Sequence, residues 1–222
     1  TLSASSAASD VYKRQTEFCT PNKCSKISGR LNNGLGIAVF NGITAAQSGK
    51  AIDSETSTER DITISPLSNY NVLVLDQNLK NNSFLTFTNT NVWRSGDFYD
   101  ANVSGLTASF NTKNNDYFIS GQGVLSAILE STQTYLGHTW GIELGKQRGD
   151  FTFWTEYYEE SDTYDPNDLG FLRANNSRVA EANVGYRNFK PNFWNLNKFQ
   201  SNFSVNYDCL LYTSPSPRDY TR

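Results

Sequence analysis

Glu156, Glu159, Glu160 and Asp162 stand close together in the chain and belong to the residue types that cleave glycosidic bonds. Such hydrolysis needs two carboxylates flanking the scissile bond, roughly 5 or 9 Å apart. Side chains alternate between the faces of a strand, so Glu156 and Glu160 share one face and Glu159 takes the other. Nothing in this spacing sets the separation, and carboxylates at strand ends are usually solvated. The expectation is no catalytic residue and no enzyme, with a glycoside hydrolase-associated domain kept as an alternative.

Metal chemistry has two candidates. Asp162, Asp165, Asn167 and Asp168 gather oxygens in one stretch, and calcium takes oxygen ligands from such loops. They lack EF-hand spacing and a closing Glu, and Asx turns around Pro166 and Gly170 account for the same residues. They stand as weak calcium candidates, with no metal or other cofactor expected. Cys19 and Cys24 form a C-x4-C pair without a neighbouring His or second pair, which reads as a small disulfide or two inert thiols. The sole histidine, His138, reads as a strand residue at or near a sheet face.

These residues sit in a repeated pattern of about ten residues alternating apolar with small or polar, the pattern of a membrane β-barrel strand. In 198–208, Phe199, Ser201, Phe203, Val205 and Tyr207 oppose Lys198, Gln200, Asn202, Ser204, Asn206 and Asp208. In 134–146, Leu136, Trp140, Ile142 and Leu144 oppose Gly137, Thr139, Gly141, Glu143 and Gly145. In 34–44, Leu35, Ile37, Val39 and Ile43 oppose Gly36, Ala38, Gly42 and Thr44, and in 178–188 Ala180, Ala182, Val184 and Tyr186 oppose Glu181, Asn183 and Arg187. Further strands are expected at 23–30, 68–79, 83–93, 100–112, 117–129 and 150–160, of which 68–79 and 150–160 are apolar on both faces. Ten residues at ~3.3 Å, tilted by ~45°, span about 23 Å, the height of an outer-membrane apolar band.

The connections carry a second signal. Leu31–Asn33, Lys80–Asn82, Lys113–Asp116 and Gln147–Gly149 are short and polar, as hairpins need. Longer links at 45–67, 94–99, 130–133 and 161–177 alternate with them. Outer-membrane barrels show this asymmetry, with short periplasmic turns and longer outside loops. On that parity 45–67 and 161–177 face outside; 189–197 is long where a short link is due. Aromatics at strand ends, such as Trp93, Tyr99, Trp154 and Trp194, suit interfacial girdles but are also good strand formers.

Two end segments stand apart. Asp10–Gln15 and Cys209–Ser214 can be encoded by strings that are reverse complements apart from an offset, as a sequencing adapter at both ends would produce. We therefore expect 1–15 and 209–222 to be disordered adapter scars, and 16–208 to be a partial β-barrel domain. Removing Lys13, Arg14, Arg218, Arg222, Asp10 and Asp219 from 19 basic and 22 acidic residues leaves 15 and 20, a net charge of −5. That balance argues against nucleic acid, which rewards clustered Lys and Arg. No apolar run is long enough for a transmembrane helix.

Several stretches resemble an outer-membrane protein family of gram-negative bacteria, domain of unknown function family 5916. They are Lys26–Arg30, Gly34–Thr44 (GLGIAVFNGIT), Asn69–Arg94 (NYNVLVLDQNLKNNSFLTFTNTNVWR) and Tyr164–Leu172 (YDPNDLGFL), with 178–188. The resemblance implies a C-terminal barrel that follows a secreted domain similar to family 9 carbohydrate-binding modules. It carries no established activity and no functional residues.

The fold expected is therefore all-β, an antiparallel up-and-down meander of about ten strands forming part of a larger outer-membrane barrel. Gln122, Glu143, Glu181, Asn183, Arg187, Gln200, Asn202 and Asn206 become lumen-facing candidates, in either a watery passage or a sealed interior whose polar groups satisfy one another. Expected partners are outer-membrane lipid, lipopolysaccharide and, through the preceding domain, glycans. The role expected is to anchor or translocate a carbohydrate-associated surface domain, or to pass glycan-derived solutes. The alternative from another class is a soluble all-β carbohydrate-binding module.

Overall fold

The computed structural model describes residues 23–52, 59–189, 196 and 198–210. Every regular element in them is a strand. In order they are β1 (Lys23–Arg30), β2 (Leu35–Thr44), β3 (Gln47–Ile52), β4 (Glu59–Ser65), β5 (Ser68–Asn78) and β6 (Phe84–Arg94). There follow β7 (Asp100–Asn111), β8 (Tyr117–Leu129), β9 (Thr134–Lys146), β10 (Phe151–Glu160), β11 (Ser177–Asn188) and β12 (Phe199–Leu210). Ten of them form one antiparallel sheet in the order β1-β2-β5-β6-β7-β8-β9-β10-β11-β12, an up-and-down meander, while β3 and β4 pair only with each other.

Each of the ten expected strands is present, with ends within two residues. The expectation fails in 45–67, read as one link, where the β3–β4 hairpin stands. Among the described residues the sheet is open, because β1 and β12 each have one strand neighbour. The short turns close with main-chain bonds, as between Gly34 N and Leu31 O at 3.0 Å. They place Gly34, Asn81, Asn82 and Asn115 at positive φ, a conformation that Gly and Asn adopt at least cost.

Register converts the separate alternations into two continuous faces, because directly opposed residues share a face. Val39 lies opposite Ile27 and Leu73. Ile142 lies opposite Gly121 and Tyr157. Val184 lies opposite Phe153 and Phe203. All belong to one face, and it is the exposed one: Leu125 is 64% exposed, Leu136 68% and Phe203 68%. Among the described residues the buried hydrophobic side chains are Val92, Ala101, Ile128 and Tyr164. The first three form a small cluster with Tyr70, Tyr99 and Tyr135. The sheet thus exposes its large apolar side chains on one face, while the other, more occluded face carries small and polar side chains on β9 and β11 together with the buried Val92, Ala101 and Ile128 cluster.

Candidate functional site

Register places Gln122, Glu143, Glu181, Asn183, Arg187, Gln200, Asn202 and Asn206 on that second, polar face. Three carboxylates meet there in a row: Glu143 opposes Glu156, and Glu156 opposes Glu181. Asn206 continues the row on β12 and Ser120 on β8, with Ser120 Oγ donating to Glu143 Oε2 at 3.3 Å. Like charges directly opposed repel, so this row needs water around it. A shallow depression of about 180 Å³ supplies the space, lined by Thr107, Ser120, Gln122, Gly141, Glu143 and Glu156 among others. At its side, a Cβ at Gly141 would meet Tyr158 Cδ2 at 3.0 Å.

The short-turn end of the polar face is tied by Arg30, which pairs with Asp76 across β2. Thr86 Oγ1 donates to the other carboxylate oxygen of Asp76 at 2.8 Å. Gly36 lies under this link, where a Cβ would meet Arg30 Nη2 at 3.0 Å.

The long-loop end is covered. Residues 161–176 do not stand free but fold as a tongue across the polar face. Its backbone lies on Gly137, where an added Cβ would collide with the Thr163 carbonyl and Tyr164 Cα. Asp165 N donates to Ser126 Oγ at 3.1 Å, and Thr163 Oγ1 to the Leu136 carbonyl at 2.7 Å. Tyr164 is 8% exposed, and burial, then the Glu160 carboxylate, pushes its phenol above the ordinary tyrosine range. At the far end Arg94 on β6 pairs with Asp168, at side-chain exposures of 13% and 11%. Tyr99 Oη also donates to Asp168 at 3.2 Å, and the Arg94 guanidinium lies 4.3 Å over the Tyr99 ring.

The other candidates disperse. Asp168 serves Arg94 and Tyr99. Asp165 Oδ1 accepts from Asn167 N at 3.0 Å, an Asx turn, and Asn167 Oδ1 accepts from Leu172 N at 2.7 Å. The carbonyl of Asp162 accepts from Asn175. Among the described residues no group of three or more His, Cys, Asp or Glu is placed to hold a metal ion. Glu159 lies on the apolar face, bonded to Tyr157 and paired with Arg178. Glu160 is buried and accepts from Tyr158 Oη at 2.7 Å and Ser177 Oγ at 3.1 Å. His138 is exposed on the apolar face. Cys24 is a free, exposed thiol and Cys209, inside β12, is also free, while Cys19 lies outside the described residues.

One feature was not anticipated. Asn41, Asn69, Asn71, Asn89, Asn91, Asn102 and Ser104 form an amide island on the predominantly apolar face. Asn41 Nδ2 donates to Asn69 Oδ1 at 2.6 Å and Asn71 Oδ1 at 2.8 Å, and Asn89 Nδ2 to Ser104 Oγ at 2.8 Å. Asn71 Nδ2 and Asn91 Oδ1 are buried without a hydrogen-bond partner. The signal lay in the spacing: Asn at 69 and 71, and again at 89 and 91, must share a face at period two.

The sequence model of a family described as Domain of unknown function (DUF5916) matches residues 8–218. The match takes in part of each end segment read above as adapter, and β12 itself runs on through Cys209 and Leu210. Residues 1–15 and 211–222 lie outside the described residues. No curated protein and no solved structure matches the chain.

Proposed function

The chain belongs to this family of domains of unknown function, DUF5916, and we propose that its ten-stranded sheet is part of the wall of an outer-membrane β-barrel. The observation that carries the reading is the inverted polarity of the sheet: nearly all its exposed large apolar side chains lie on one face, which the amide island interrupts, while Glu143, Glu156 and Glu181 lie on the more occluded one. A soluble sheet hides its apolar face under a second layer. A barrel wall leaves that face to lipid and turns alternate residues to the interior.

On this reading the partners are outer-membrane lipid and lipopolysaccharide, and the polar face lines the interior. Glu143, Glu156, Glu181, Gln122, Asn183 and Asn206 would hydrogen-bond water and hydroxyl-rich solutes there. The barrel has no catalytic role. It passes glycan-derived solutes or anchors a carbohydrate-associated surface domain. Its test is extraction of the full chain from outer membranes. Release by detergent alone, with a band that shifts on heating before electrophoresis, is the expected result. A monodisperse monomer in detergent-free buffer overturns it in favour of a soluble all-β carbohydrate-binding module.

A further inference from the structure

We infer that residues 161–176 are the constriction of this interior, a tongue whose seat on Gly137 and latch at Arg94 decide how large a solute passes. The inference rests on the barrel reading, since only a closed wall gives the tongue a mouth to narrow.

Three features set this segment apart from a free surface loop. Its path is long: it leaves β10 at Glu160, lies on β9 at Gly137 and on β8 at Ser126, and reaches Arg94 on β6. In the sheet β10 and β6 stand four strand spacings apart, about 19 Å along it at ~4.8 Å each. Its footing is cut to fit. Gly137 gives up its side chain under Thr163 and Tyr164, Ser126 offers its hydroxyl to Asp165 N, and Tyr164 is buried against the sheet. Its far end is anchored by charge. Asp168 and Arg94 are largely withdrawn from water, where an ion pair is screened little. Arg94 is held in turn by the Tyr99 carbonyl at 2.8 Å and the Tyr99 ring.

The tongue also lies in the right place along the strands. It covers Ser126 on β8 and Gly137 on β9, whereas Gln122 and Glu143, which line the depression, lie further toward the short turns. A solute entering from the long-loop side passes the tongue before it meets the carboxylates. Opening need not disturb the wall, because the Arg94–Asp168 contact joins the tongue to the sheet and takes no part in strand pairing.

The experiment is thiol labelling of the full chain in outer membranes, with Cys19, Cys24 and Cys209 changed to Ser and Gln122→Cys as the reporter. Two impermeant maleimides are added from outside, one small and one carried on a bulky polymer. With the tongue intact the small reagent reacts and the bulky one does not. Asp168→Ala, which leaves Arg94 without its partner, and Gly137→Val, whose side chain collides with Thr163 and Tyr164, should each raise the rate of the bulky reagent by about tenfold or more. The small reagent should change less than about threefold. Tyr99→Phe, which keeps the ring and deletes the hydroxyl bond, should give an intermediate rate if either variant loses its heat-modifiable band. Equal bulky-reagent rates in all variants overturn the constriction. Ile142→Cys, on the opposite face, separates the two readings. Its labelling as fast as Gln122→Cys by the small reagent sinks the barrel, and with it the mouth, whatever the tongue variants do.

Discussion

Asn71 and Asn91 face each other across β5 and β6 with one amide nitrogen and one carbonyl oxygen unpaired. A buried polar group without a partner costs roughly 1–3 kcal/mol, so the amide island is not explained by its own hydrogen bonds. Replacing Asn71 with Leu removes the orphan nitrogen, while Asn41 Nδ2 keeps its bond to Asn69 Oδ1. We expect Asn71→Leu to leave stability unchanged or raise it by about 1 kcal/mol, measured by urea unfolding in lipid. A loss above about 2 kcal/mol would show that this amide is held by a partner. The same bookkeeping explains the candidates that dispersed. Asp162, Asp165, Asn167 and Asp168 cluster in sequence, but the turn around Pro166 bonds Asp165 to Asn167 and sends Asp168 to Arg94, seventy-four residues away in the chain. Period and spacing cannot foresee that pairing, because it depends on which strands a folded loop crosses.

At the level of elements, strands such as β9 and β11 were legible because apolar residues such as Trp140, Ile142, Leu144, Val184 and Tyr186 alternate with small or polar ones such as Gly141, Glu143, Gly145, Asn183 and Gly185. β5 and β10 obeyed the period too, although their sequences look apolar throughout: Val72 and Val74 take the polar face of β5 while Leu73 and Leu75 take the other. The β3–β4 hairpin escaped because its strands, QSGKAI and ERDITIS, are short, rich in charge and joined by no turn signature. Its ties are local, with Lys50 Nζ donating to Glu59 Oε2 at 2.8 Å and Ile64 covering Gly49. Among the described residues it makes no substantial contact with any other strand. Replacing 47–65 with a short Gly-Ser link should therefore change the stability of the ten-stranded sheet by less than about 1 kcal/mol, since shortening a loop alters closure entropy only slightly. Calorimetry of the excised variant checks this, and a collapse of the transition would mean that the ribbon braces β2 and β5.

The whole molecule poses one question that neither residues nor elements answer alone, namely what covers the apolar face. Adjacent positions on β9 make the test sharp, because Ile142 and Glu143 share a backbone environment and differ in the face they present. In water, a charge at an exposed position such as Ile142 costs little, within about 0.5 kcal/mol. Facing hydrocarbon near mid-height of a wall, the same Ile142→Arg costs ~2–4 kcal/mol. Glu143→Gln serves as the reference, because it keeps the shape and only thins the carboxylate row, relieving repulsion with Glu156 across the ladder. We expect Ile142→Arg to lose ~2–4 kcal/mol in reversible unfolding from lipid vesicles and Glu143→Gln to be neutral or slightly stabilising. Similar small effects at both positions would mean that water wets both faces and that no hydrocarbon covers the apolar one. The open edges at β1 and β12 bear on the same measurement. Unpaired edge strands recruit other chains, so reversibility itself requires that further strands, or each other, satisfy those edges in the vesicle.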